Sequence, residues 1–240
     1  MLMREGRSAQ LRWTAHFFSN RSGARTALRP LAVLALIGAL SQGGGASALT
    51  LEHRAAWRNL PPPMTVTHAL EIRAVLLDDW PEAEVGQALQ EAARILGQCG
   101  IRTARIDLLR VQVPPALRWF DTPRSRELAR ALDLPRPALF FAAGTRQVPA
   151  FDAEAIGRGN SRSRPELADT VWIAPGTRDL GIVVAHELAH VLMDSGEHDN
   201  TPGNLMAEYT DPSSTALTAA QCARITATGS RNGLLRPQPR

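Results

Sequence analysis

Ile182-Val183-Val184-Ala185-His186-Glu187-Leu188-Ala189-His190-Val191-Leu192-Met193 reads as a helix with almost no polar face. Its three polar residues are spaced for metal chemistry. His186 and His190 are four apart, so both imidazoles leave the same face of a helix. Neutral imidazole nitrogens suit a borderline ion such as zinc. Glu187 is offset by one position, where it can face a water beside the ion instead of duplicating a ligand. As a general base it would take that water's proton and pass it to a leaving amine. The same five-residue pattern also arises by chance, and ordinary surface histidines are the bland alternative. The apolar residues around the motif count against that alternative, because a helix apolar on all sides is a buried helix.

Downstream, Ser195-Gly196 should end the helix, and a glycine there lets the chain turn back toward the metal. His198 follows and is the leading candidate for a third ligand. Asp194, Asp199 and Glu197 are carboxylates close enough in sequence to compete for that place. Three protein ligands with one position left for water is the catalytic zinc pattern.

With these residues in view, the segment from His186 to Tyr209 resembles the metzincin clan of zinc endopeptidases, whose signature is HExxHxxGxxH followed by a methionine turn. His186, Glu187 and His190 match the first ligand, general base and second ligand. The family's glycine position is Met193 here, and its third-histidine position is Gly196. A two-residue insertion after His190 restores the match: Gly196 becomes the turning residue and His198 the ligand. The family's methionine lies eight residues beyond its third histidine, and Met206 lies eight beyond His198. The resemblance therefore implies that Met206 sits beneath the metal in a turn begun by Asn204-Leu205. Plain core packing is the other reading of Met206. Tyr209 resembles in position the tyrosine that follows the turn in some members, where it ligates the metal or stabilises developing charge. A hydrogen-bonded core or rim tyrosine is the other reading.

Upstream, clustered β-branched residues place a strand over Glu71–Leu77, and partial alternation places one over Ala104–Val113. A short apolar run between Pro137 and Gly144 reads as a buried strand over Ala138–Ala142, and Thr170–Ala174 reads as another. Gln147–Ile156 reads as a more exposed strand and Gly157–Pro165 as a surface loop. Val85, Ala88, Leu89, Ala92, Ile95, Leu96 and Cys99 recur at three- and four-residue spacing, predicting a helix from Pro81 to Gln98. Asp79 and Glu82 would cap its start and Gly100 would stop it. A short helix fits around Arg124–Leu132, and another follows Leu217 with Thr218 capped through Gln221. The fold class is α+β and zincin-like: a small twisted mixed sheet, mostly parallel, with a backing helix, an active-site helix and a C-terminal helix.

Cys99 and Cys222 permit one disulfide between helices, with two buried thiols as the alternative. In the family the C-terminal helix packs beneath the active-site helix, so such a bond would tie it to the first helix. Residues 1–48 carry six arginines against one acid, then the apolar run Leu31–Leu40 and the Ala46-Ser47-Ala48 signature of a cleaved export signal. That assigns 1–48 to a secretory signal region, 49–228 to the metallopeptidase-like domain, and 229–240 to a flexible tail. It also implies an exported protein, periplasmic or extracellular, with no stable membrane insertion once the signal is removed.

After residue 48 the chain has 21 basic and 22 acidic residues, so its overall +4 charge belongs to the leader and argues for no nucleic-acid partner. The resemblance implies a zinc-dependent endopeptidase with peptide or protein substrates. Its rivals are a catalytically inactive zincin-like binding protein and a secreted interaction protein with an accidental motif.

Overall fold

Alternation along short strands, with side chains committed to two different apolar layers, builds the centre of the fold. In the computed structural model the described residues are 49–58, 60, 65–146, 155–158, 165–176 and 178–239. The expected leader, most of the Gln147–Ile156 segment, and 159–164 of the expected loop lie outside them. The strands are β1 (Thr50–Arg58), β2 (His68–Leu76), β3 (Ile101–Gln112), β4 (Trp119–Phe120), β5 (Ala138–Phe141), β6 (Gly144–Thr145), β7 (Ala155–Arg158), β8 (Thr170–Ile173) and β9 (Leu235–Pro237). The helices are α1 (Glu82–Leu96), α2 (Thr122–Leu132), α3 (Leu180–Met193) and α4 (Ala219–Arg231).

The main sheet runs β1–β3–β2–β5–β8–β7, and its four central strands are parallel. β1 and β7 close the two edges antiparallel, and β9 pairs antiparallel with the start of β2. β4 and β6 form a separate small pair. This is an α+β, zincin-like architecture.

Leu139 and Phe141 of β5, Val171 and Ile173 of β8, and Leu70, Ile72, Ala74 and Leu76 of β2 share a core with α1, α3 and α4. The intervening Ala138, Phe140, Trp172 and Val75 join Leu128 and Ala129 of α2 on the other face. There Phe140 and Trp172 stack with ring centroids 4.2 Å apart. Each buried aliphatic or aromatic side chain of this kind contributes about 1.5–3 kcal/mol.

α3 packs against both α1 and α4, and all of its residues are buried. Two glycines permit close approaches here, one between α3 and α1 and one between α4 and β9. A Cβ on Gly181 would lie 2.7 Å from Glu91 Cβ of α1, and one on Gly229 of α4 would lie 2.8 Å from Leu235 Cδ1. Gly100, at φ +70°, ends the 3-10 turn that follows α1.

Three sequence expectations need correction. α1 has Pro81 at its N-cap with no side-chain cap; Glu82 is instead drawn to Arg54 of β1 and Arg110 of β3, at 2.8 and 3.3 Å. β1 has no counterpart in the sequence expectations: Leu51, Ala55 and Trp57 alternate, but the run is short, interrupted by His53 and Ala56, and exposed along most of its length. The boundary placed at 228 falls inside α4, and the supposed tail supplies β9. Leu234 and Leu235 are buried, and Gln238 N donates to the Thr67 carbonyl at 2.9 Å. Two adjacent leucines and a strand's backbone bonds outweigh the Gly/Pro/Arg composition of that segment.

Cys99 and Cys222 form a disulfide, with Cα atoms 4.8 Å apart, joining the turn after α1 to α4 across 123 residues. No helix among the described residues is long and apolar enough to cross a membrane. Replacing both cysteines by serine is expected to cost about 2–5 kcal/mol, read as a lower urea midpoint, with a somewhat steeper slope because the unlinked chain exposes more surface on unfolding.

Candidate metal centre

Burial decides the chemistry available to α3. A polar side chain inside an apolar helix bundle is costly unless hydrogen-bonded, and His186, Glu187 and His190 are all buried. Both imidazoles meet this demand with backbone acceptors. His186 Nδ1–H donates to the Leu205 carbonyl at 2.7 Å, and His190 Nδ1–H to the Ser195 carbonyl at 2.6 Å. A carbonyl can only accept, so each neutral ring carries its proton on Nδ1 and presents a lone pair on Nε2.

Those lone pairs converge. His190 Nε2 lies 2.9 Å from His186 Nε2 and 3.3 Å from His198 Nε2, and the three histidines offer ligand atoms within 4.8 Å of one another. Tetrahedral coordination with metal–nitrogen bonds of about 2.0–2.1 Å needs nitrogens about 3.3–3.4 Å apart. Two lone pairs facing each other at such a distance repel unless a cation lies between them. The His190–His198 separation matches that spacing, and the His186–His190 separation falls about half an ångström short of it. The donor set thus suits a divalent metal ion, and the compact cluster matches the metzincin pattern of HExxH plus a third histidine.

Burial also pushes His186 down to about 4 and His190 well below the usual histidine range, and it lowers half-buried His198. All three rings are thus neutral, ligand-ready imidazoles at neutral pH.

The loop that brings His198 back is built differently from the sequence expectation. The residue that turns the chain is Asp194, in the left-handed region at φ 48° and ψ 49°, while Gly196 does not adopt a positive φ. Aspartate is one of the few non-glycine residues that tolerates this conformation, through its short polar side chain. The helix then closes with Ser195 N donating to the His190 carbonyl at 3.2 Å.

Two of the competing carboxylates, Asp199 and Glu197, are engaged by other residues. Asp199 accepts from the Thr201 amide and hydroxyl at 3.1 and 2.7 Å, and Glu197 pairs with Arg224 of α4. Among the described residues the metal-competent group comprises the three histidines.

Met206 is buried in a tight turn closed by Ala207 N donating to the Asn204 carbonyl at 3.2 Å. The preceding residue, Leu205, supplies the carbonyl that orients His186. Tyr209 is 37% exposed and, among the described residues, hydrogen-bonds to none of the three histidines. Sequence reasoning missed the backbone acceptors at Ser195 and Leu205, which have no side-chain signature.

The chain matches no protein-family model and no curated protein. The fold is zincin-like, and the three histidines that could hold a metal follow the metzincin pattern.

His198→Ala is expected to weaken divalent-metal binding by more than about 100-fold, since even changes outside the ligands cost about 10–100-fold. Protons and metal compete for the same nitrogens, so a lowered histidine proton affinity moves that competition to lower pH. Affinity should persist below the pH at which an ordinary histidine protonates, because all three rings are lowered, and be lost by about pH 4, the value to which burial pushes His186. Chelator competition as a function of pH checks both expectations.

Proposed function

We propose that this protein is a zinc-dependent endopeptidase in which Glu187 is the general base. The observation that carries this reading is the convergence of three imidazoles beside a glutamate on one buried helix. Three histidines leave a coordination position open, which distinguishes a catalytic zinc site from a closed structural one.

His186, His190 and His198 would hold the zinc ion, which would supply Lewis-acid polarisation of the scissile carbonyl and of the attacking water. Glu187 takes the proton from that water as it attacks and delivers it to the departing amine nitrogen. His186 and His190 keep their orientation throughout, because the Leu205 and Ser195 carbonyls hold their Nδ1 protons. Met206 serves as the packed floor of the site, and its turn positions the Leu205 carbonyl.

β7 supports the choice of an extended peptide substrate. It is an antiparallel edge strand that also packs against α3, so a peptide can be aligned by adding a strand to the sheet. Export belongs to the same reading: the basic leader and apolar run are supported by a disulfide, which persists in oxidising compartments.

Glu187→Gln is expected to bind zinc with wild-type stoichiometry while cleaving a fluorogenic peptide library about 10²–10⁴-fold more slowly. Equal cleavage by both forms would remove Glu187 from the mechanism. A wild-type protein that binds zinc but leaves the library intact would favour a binding module instead.

A further inference from the structure

α4 reaches the third-ligand loop through a side chain that the proposed reaction does not use. Gln221 Nε2 donates to Asn204 Oδ1 at 3.1 Å and to Asp199 Oδ2 at 3.4 Å, while its Oε1 accepts from Asn204 Nδ2 at 3.2 Å. Asn204 Nδ2 also donates to Asp199 Oδ2 at 3.3 Å, and Asn204 Oδ1 accepts from Met206 N at 2.8 Å. The ring of bonds closes through the main chain, where Asp199 N donates to the Met206 carbonyl at 2.8 Å.

This network joins three pieces: the residue after His198, the turn holding Leu205 and Met206, and the first turn of α4. It bears on two ligands at once. His198 lies on a loop with no helix or strand of its own, so its placement depends on how that loop is held. His186 receives its orienting carbonyl from the same turn. α4 is itself anchored one residue later, by the Cys222–Cys99 bond, and it holds the other flank of His198 through the Arg224–Glu197 ion pair.

The geometry points to Gln221 as a positioning residue that sets the metal affinity of the site, by bracing Asp199 and Asn204 so that His198 stays within reach of His186 and His190. This inference rests on the metal-centre reading above. Gln221 has a second task, and the two can be separated. Its Oε1 accepts from Thr218 N at 2.8 Å while Thr218 Oγ1 accepts from Gln221 N at 3.2 Å, a capping box at the start of α4. Glutamate fills that box equally well. It cannot donate, however, and its second oxygen would face the oxygens of Asp199 and Asn204 that now accept from Nε2.

Gln221→Glu therefore keeps the helix cap and breaks the brace. Zinc affinity measured by chelator competition on the full chain should fall about 10–100-fold in this variant, as for other residues that orient ligands. The metal-free melting temperature should stay within about 2 °C of wild type, because the cap is retained. Adding Asp199→Asn restores a donor facing the new carboxylate and should recover part of the affinity, by about threefold or more.

Gln221→Glu affinity within about threefold of wild type overturns the brace. So does a loss that tracks an equal fall in metal-free stability and is not recovered by Asp199→Asn. Wild-type protein that takes up no zinc overturns the metal centre itself and the brace with it. Wild-type binding with an unmoved Gln221→Glu variant overturns the brace alone.

Discussion

The site depends on two hydrogen bonds, from His186 and His190 to the backbone carbonyls of Leu205 and Ser195. A helix buried along its whole length has no water with which to satisfy its imidazoles, so the fold must supply acceptors from elsewhere. The acceptors it supplies come from the chain that follows α3. Satisfying the buried polar groups and assembling the ligands are therefore one requirement. Ser195 must sit at the helix end to serve His190, and from there the chain already points back toward the site. The Leu205 turn must lie against α3 to serve His186, and that places Met206 in the core.

The same requirement explains how α3 is enclosed. Gly181 lets α3 lie close to α1, Gly229 lets Leu235 of β9 seat on α4, and the Cys99–Cys222 bond fixes the relation between the two elements that flank α3. Gln98 extends the tie. Its side-chain amide donates to the Thr215 carbonyl at 2.6 Å, so the segment entering α4 is held from the α1 side as well. Dehydration then lowers the histidines' affinity for protons, and the rings stay neutral where a metal needs them. Packing thus acts directly on the chemistry.

Much of this was legible in the sequence because it is written in side chains. His186, Glu187 and His190 declare themselves by spacing, and the short apolar runs of β5 and β8 and the striped helix α1 declare themselves by apolar pattern. What escaped is written in the backbone or in context. The Ser195 and Leu205 carbonyls carry no residue-type signal. β1 hides because only Ala55 and Trp57 of a mostly exposed edge strand reach the core, and β9 because three residues in a Gly/Pro/Arg-rich stretch resemble a frayed end. The helix stop was sought at Gly196, the residue with the greatest freedom, whereas the fold uses Asp194. Propensity ranks what a residue tolerates, and here the nearby aspartate tolerates enough.

The displaced third histidine has a mechanical explanation. From His198 to Met206 the chain behaves as one block, because Asp199 bonds the Met206 carbonyl through its backbone and Asn204 through its side chain. Two extra residues between His190 and that block leave every bond inside it intact. They alter only the linker, which the left-handed turn at Asp194 and the Ser195 contact with His190 absorb. The eight-residue interval from His198 to Met206 is therefore a property of the block, while the interval from His190 to His198 is a property of the linker. Ligand and turn shift together because the hydrogen bonds that join them are stronger constraints than their distance along the chain from the helix.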